Sequence, residues 1–287
     1  MKSFTRDLIV WIEQNLDKKI MLDEVASKAG YSKWYLQRLF LQETGINLAT
    51  YIRQRRLSES AILLKMTDMP VIDAAERFGF SNQQTYTRTF GRHFSMPPGQ
   101  YRVSRDWHFG GLQPSLNDNC NSLPQPEVVS LTLPPLQGIT FSYICPSETL
   151  GNPEFHAQHL QRALQSAESQ LLGKKPRYIA ERYEPAGMTD SIRFVLTFYC
   201  DIDGEAQRQE TPVDGRFLRF RFDGNINEMV AMQAEIYRHI LPGRAEARRD
   251  GSDIFSLDAQ QGESLDTATF SGYYHLPVTH EQTLAAD

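Results

Sequence analysis

Cysteine is scarce in this 287-residue chain: Cys120, Cys145 and Cys200 lie far apart, with no Cys-x-x-Cys pair and no histidine at metal-ligand spacing. That pattern argues against a disulfide framework or a zinc ribbon. Cys145 and Cys200 fall in strand-like runs and read as small core residues. No apolar run approaches the ~20 residues needed to span a bilayer. No signal-peptide pattern precedes Phe4, so a cytoplasmic location without a membrane partner is expected. The GxSxG, HExxH and P-loop signatures are missing too. His156 and His159, three apart on a helix-like run, have no carboxylate or cysteine at obvious spacing, and they read as surface side chains. No catalytic residue, metal or cofactor is expected, and the chain reads as a non-enzyme.

A strong charge of one sign is also missing from the whole chain, whose net charge is −5, but the charge is unevenly divided. Residues 1–107 hold 16 Lys and Arg against 11 Asp and Glu; residues 108–287 hold 14 against 24. A basic front and an acidic rear suit a chain in which one part touches phosphate and the other avoids it. With 40% apolar residues, the chain can bury more than one core.

What is present is a repeated motif. Asp23–Gln42 and Asp73–His93 each read as a short amphipathic helix, a Gly (Gly30, Gly79), an aromatic (Tyr31, Phe80), a Ser (Ser32, Ser81) and a second helix. Gly takes the left-handed conformation that reverses the chain, and the aromatic is expected to bury between the two helices. The Ser is expected to cap the second helix through its orphan amides. Leu36, Leu39 and Phe40 give one second helix an apolar face; Tyr86, Phe90 and Phe94 do so for the other. The opposite faces carry Trp34, Gln37 and Arg38, and Gln83, Gln84, Thr87 and Arg88. Arg forks onto guanine, Gln onto adenine, and Thr or an aromatic packs on a thymine methyl, so these side chains suit a major groove. Solvation of an outward helix face is the competing explanation for either set alone, and the repetition weighs against it. Ser32, Lys33, Arg55, Ser81 and Asn82 are the candidates for contact with the DNA backbone.

Around the motifs, Phe4, Leu8, Trp11 and Ile12 recur at helical spacing. Asn47–Met66 reads as one long helix, about 30 Å at ~1.5 Å per residue. Recognition helices entering successive major grooves on one DNA face sit about 34 Å apart. A connecting helix of that length therefore implies a monomer on an asymmetric site, with DNA bending where the spacing falls short. Pro70 opens the second motif. A short helix near Met96–Arg102, with Tyr101 buried, closes the all-α part near Trp107.

The runs AGYSKWYLQRLFLQETG, YIRQRRL and FGFSNQQTYTRTFGRHFSMPPGQYR resemble the DNA-binding domain of the AraC/XylS family of bacterial transcriptional regulators over nearly all of residues 4–107. The resemblance implies a double helix-turn-helix that binds a double-stranded promoter element as a monomer. It also implies activation through RNA polymerase, at stress or multidrug-resistance promoters. It places Trp34, Gln37 and Arg38 on the first base-reading helix, and Gln83, Gln84, Thr85, Thr87 and Arg88 on the second. Tyr35 stands where relatives commonly carry His.

Residues 108–126, rich in Gly, Pro, Asn and Ser, read as a linker. From 127 to 287 the pattern becomes strand-like. Strands are predicted at Val128–Leu133, Gly138–Ile144, Arg177–Tyr183, Ile192–Cys200, Phe217–Phe222, Ile254–Leu257 and Thr267–Leu276. Helices are predicted at Pro153–Leu172 and Ile226–Ile240. The order forms two strand-helix-strand-strand units, an internal pseudo-repeat of an α+β domain in a multi-domain chain. This order and the closing GYYHLPV resemble the GyrI-like effector domain, which implies a groove for a small-molecule effector. Glu181, Tyr183, Phe194, Phe198, Phe255 and Tyr273 are the candidate lining residues. Cation-binding members commonly place a buried Glu in the strand that reads SDIFSL here, where Phe255 stands, so the resemblance favours an apolar or amphiphilic ligand. An architectural DNA-binding protein whose rear domain serves protein contacts without a ligand is the alternative.

Overall fold

The computed structural model describes residues 3–18, 20, 22–28, 30–117, 123–133, 137–171, 174–200, 214–261 and 268–279. Helix α1 (Ser3–Glu13) buries Leu8, Ile9 and Ile12, one face at helical spacing. Helices α2 (Leu22–Lys28) and α3 (Lys33–Thr44) follow, and Gly45 ends α3 with φ 74° and its N–H on Leu41 O. Helix α4 (Leu48–Met66) starts where Asn47 accepts from Ala49 N at 3.0 Å. Pro70 leads into α5 (Val71–Arg77), then come α6 (Gln83–Phe94) and α7 (Pro98–Val103). Leu48, Tyr51 and Ile52 of α4 join the core beneath α1 and α3. Leu57, Ala61 and Leu64 join the core beneath α5, α6 and α7. One helix thus supports both halves of the all-helical part.

The segment after α7 is packed, unlike the linker its composition suggests. Strand β1 (Trp107–His108) pairs antiparallel with β7 (Ala247–Arg248) far along the chain. Phe109 and Leu112 are buried. Residues 113–116 lie along α4: Arg55 Nη1 donates to Gln113 O at 2.8 Å, Gln113 N to Ser58 Oγ at 2.8 Å, and Leu116 N to Tyr51 Oη at 3.1 Å. Phe109, Leu112 and Leu116 stand among Gly, Pro, Asn and Ser, a composition that reads as a linker. Cys120 lies outside the described residues.

Beyond it, β2 (Glu127–Thr132), β3 (Gln137–Pro146), β4 (Tyr178–Pro185), β5 (Ser191–Cys200), β6 (Asp214–Gly224), β8 (Asp253–Gln261) and β9 (Thr269–Pro277) form one sheet. Its order is β2-β6-β9-β8-β4-β5-β3, and every pairing is antiparallel. Helices α8 (Pro153–Gln170) and α9 (Ile226–Glu235), the latter continued by a π-helical turn Ile236–Ile240, pack side by side. Strand alternation sets what meets them: Phe194, Leu196 and Phe198 of β5 are buried while the residues between them are half-buried. At the centre, β4 pairs with β8 and Glu181 stands opposite Asp253. Beside it, Gly272 of β9 opposes Leu257, where a Cβ would collide with the Ser256 carbonyl. The last predicted strand begins at Thr269, and Thr267 lies outside the described residues.

Candidate functional site

Helices α3 and α6 have nearly the same surface. From Tyr31 and from Ser81, five exposed residues are followed by a buried one (Leu36, Tyr86), a half-buried one (Gln37, Thr87) and an exposed arginine (Arg38, Arg88). Phe40 and Phe90 are buried at the next equivalent place. The preceding turns also correspond: Gly30 and Gly79 have φ 70° and 72°, Tyr31 N donates to Ala26 O, and Phe80 N donates to Ala75 O. The fold therefore puts Trp34, Gln37 and Arg38 together on one helix face, with Trp34 66% exposed and the Arg38 guanidinium 5.3 Å from its ring centre. Gln83, Gln84, Thr85 and Arg88 are exposed on the other helix.

The caps differ between copies. Ser32 caps α3, accepting from Tyr35 N at 3.2 Å. In the second copy Asn82 caps α6, accepting from Thr85 N at 2.8 Å, so Ser81 is not the cap. The second turn has one residue more between its glycine and its cap, which moves Ser81 out of reach of the orphan amides. Tyr31 is exposed and packs on Phe4 and Tyr35, whereas Phe80 packs on the buried Tyr86.

Arg55 requires a correction as a DNA-backbone contact. It is 2% exposed and faces inward from α4. Its Nη2 lies 2.7 Å from Glu13 Oε2 and 2.7 Å from Glu59 Oε1. Tyr51 Oη donates to Glu13 Oε1 at 2.7 Å. Burial opposes ionisation of Glu13, but the Arg55 charge and the hydrogen bonds outweigh it and hold the carboxyl below its usual range. Every Arg55 donor group is thus directed at Glu13, Glu59 or the Gln113 carbonyl, and none is presented to a phosphate. Lys33 remains at the surface, in an exposed pair with Asp23 at 3.0 Å.

The second feature is a cavity of about 710 Å³ between the helical part and the sheet. Glu181, Tyr183, Phe194 and Phe255 line it, as the sequence suggested; Ile62, Met66, Arg77, Trp107 and Tyr237, which the sequence did not suggest, line it too. Glu181 is 8% exposed. Its Oε2 accepts from Gln233 Nε2 at 2.6 Å and lies 3.4 Å from Tyr183 Oη, whose one proton is directed at Asp253. Burial, reinforced by the nearby Asp253 charge, pushes its carboxyl up to about 7. Asp253 is fully buried but fully partnered: Arg248 lies at 2.9 Å, and Tyr183, Tyr237 and Tyr274 donate at 3.0, 2.8 and 2.6 Å. Arg248 in turn sits 5.2 Å from the Trp107 ring centre. Asp253 escaped the sequence reading because it stands at a strand start beside Gly251 and Ser252, where an acidic residue reads as part of a turn.

Two candidate lining residues sit elsewhere. Phe198 is fully buried against Phe141, in the layer beneath α8. Tyr273 points to the opposite face of the sheet, between Arg219 and Arg221 at 4.7 and 5.1 Å; its neighbour Tyr274 takes the inner position. A one-residue difference in register decides which ring faces inward. His156 is buried, its Nε2 donating to Leu150 O at 3.1 Å and its Nδ1 accepting from Tyr143 Oη at 2.9 Å, rather than lying on the surface.

The paired turn geometry defines a helix-turn-helix protein, and a family model described as a helix-turn-helix domain matches residues 25–104. The chain belongs to the AraC/XylS family of transcriptional regulators. It is 45% identical over 147 residues to the transcriptional regulator Rob of Salmonella typhimurium, a match covering 51% of each chain. It is 46% identical over 107 residues to the transposon Tn10 TetD protein of Escherichia coli, covering 37% of this chain and 78% of that one. It is 47% identical over 97 residues to the multiple antibiotic resistance protein MarA of Salmonella typhimurium, covering 34% and 76%. The match thus spans about half the length of the Rob relative. No helix among the described residues is long and apolar enough to cross a membrane.

Proposed function

We propose that the chain binds double-stranded DNA as a monomer, inserting α3 and α6 into successive major grooves of an asymmetric promoter site, and regulates transcription there. Residues 1–107 are the DNA-binding domain in this reading. Residues 127–287 form a GyrI-like domain, whose pseudo-repeat is β3-α8-β4-β5 followed by β6-α9-β8-β9. Residues 107–116 fasten one to the other. The observation that carries the reading is the matched exposure of α3 and α6, with arginines Arg38 and Arg88 at equivalent places. Trp34, Gln37, Gln83, Gln84, Thr85 and Thr87 are the further base-reading candidates, and Ser32, Lys33, Ser81 and Asn82 the backbone-contact candidates. Similarity to the multiple antibiotic resistance protein MarA supports action in multidrug resistance; activation at stress or multidrug-resistance promoters through RNA polymerase is part of the proposal. The cavity at Glu181 supports sensing of a small apolar or amphiphilic ligand with a hydrogen-donating head.

Arg38→Ala and Gln84→Ala test the DNA reading. On a duplex selected from a random library, each weakens binding by about 1–3 kcal/mol and relaxes preference at one position. Equal losses on selected and random duplexes, measured at one salt concentration, contradict the assignment.

A further inference from the structure

The wall of the cavity facing the sheet belongs to the helical part. Ile62 and Met66 of α4 and Arg77 of α5 line it, opposite Glu181, Tyr183 and Phe194. Met66 shares one apolar cluster with Cys145, Ile192 and Phe194, and Ile62, Tyr143 and Tyr183 pack on the same cluster. Arg77, the last residue of α5, reaches across with Nη1 donating to Ser147 Oγ at 2.6 Å and lying 3.0 Å from Asp190 Oδ1.

We propose that the cavity is a single composite ligand site: an amphiphile with its head on Glu181 and its apolar body against Phe194 touches Ile62 and Met66, so the DNA-reading unit is itself part of the sensor. The inference rests on the proposed sensing function and adds which residues perform the reading. Three observations carry it. The cavity volume of about 710 Å³ suits a small molecule and is bounded from both sides. Gln233 is the close hydrogen-bond donor to Glu181, at 2.6 Å, and no base among the described residues forms an ion pair with it. The wall is mechanically connected to both reading heads. Helix α4 enters the core under α3 through Tyr51 and Ile52, and its last turn leads directly into α5, which packs on α6. An occupant that makes different contacts in the DNA-bound and free arrangements therefore changes DNA affinity, and DNA changes the occupant's affinity by the same factor.

The test uses the full chain and three probes with one tail and different heads: decylamine, decanol and decanoate. Binding is followed by calorimetry and by the fluorescence of Trp107, which lines the cavity. Decylamine or decanol is expected to bind at least about tenfold more tightly than decanoate, and Glu181→Gln reduces that discrimination. Met66→Gln is expected to weaken the best probe about tenfold, and Ile62→Ala about threefold. A saturating probe should change affinity for the selected duplex at least about threefold, and the duplex should change probe affinity by the same factor. Melting curves identify a variant that has lost its fold, and the other α4 variant then carries the comparison. If Glu181→Gln alters binding while both α4 variants bind like the unaltered chain, the composite site is wrong and the sensing function stands. If none of the three probes binds, both are overturned.

Discussion

Replacing Arg55 by alanine separates a structural role from a DNA-binding one. The guanidinium is 2% exposed and is the partner of Glu13 and of Glu59. The side chains of those acids are 16% and 33% exposed, so Glu13 in particular cannot regain full hydration when its partner leaves. Removing one member of such a buried pair costs about 3–5 kcal/mol. Domain stabilities are commonly about 5–15 kcal/mol, so Arg55→Ala should remove a large share of the helical unit's stability. The substitution also frees the Gln113 carbonyl that fastens the following segment to α4. Glu13 adds a pH signature. Its carboxyl lies below the ordinary value of 4.5, so its stabilisation is complete above that value and is lost as pH falls through the lowered one. Urea unfolding followed by helical circular dichroism at pH 7 and at pH 3.5 measures both effects: a large difference between Arg55→Ala and the unaltered chain at pH 7, and a smaller one at pH 3.5. Salt titration of DNA binding, done where the variant is folded, should give an unchanged slope. An unfolding free energy within 1 kcal/mol of the unaltered chain, joined to a slope lower by about one phosphate contact, would refute the buried-network argument.

The raised carboxyl of Glu181 makes a prediction of opposite sign. Because its folded value is about 7 against an ordinary 4.5, the folded state binds the extra proton and stability falls as pH rises between them. Glu181→Gln should therefore stabilise the chain at pH 8 by up to about 3 kcal/mol and change it little at pH 4.5; equal effects at both pH values would contradict this. At the second turn, Asn82→Ala should cost about 1 kcal/mol and Ser81→Ala only a few tenths, as read by thermal melting. The reverse order would restore Ser81 as the cap.

Much of the architecture is legible because it is written in local periods. Leu36, Leu39 and Phe40 recur at helical spacing, and alternation marks Ile192–Cys200 as a strand, so helices and strands follow directly from the sequence. Side chains whose roles depend on distant partners are harder to read. Arg55 looks like its neighbour Arg53 in sequence, but only Arg55 is opposite Glu13, 42 residues away. Phe198 and Tyr273 carry the right chemistry for a lined groove, but layer depth and strand register take them out of it. The helical wall of the cavity, Ile62 and Met66, carries no signal in the sequence beyond two apolar residues near the end of a long helix. Its role appears when the sheet is laid against it.

The central claim is that one chain presents two reading heads to one side of a duplex. Hydroxyl-radical footprinting on a selected duplex, at a stoichiometry fixed by analytical ultracentrifugation, tests it most directly. The account predicts one chain per duplex and two protected patches about 34 Å apart on one face. Arg38→Ala should weaken one patch and Arg88→Ala the other. A single protected patch, or two patches that need two chains, would contradict it.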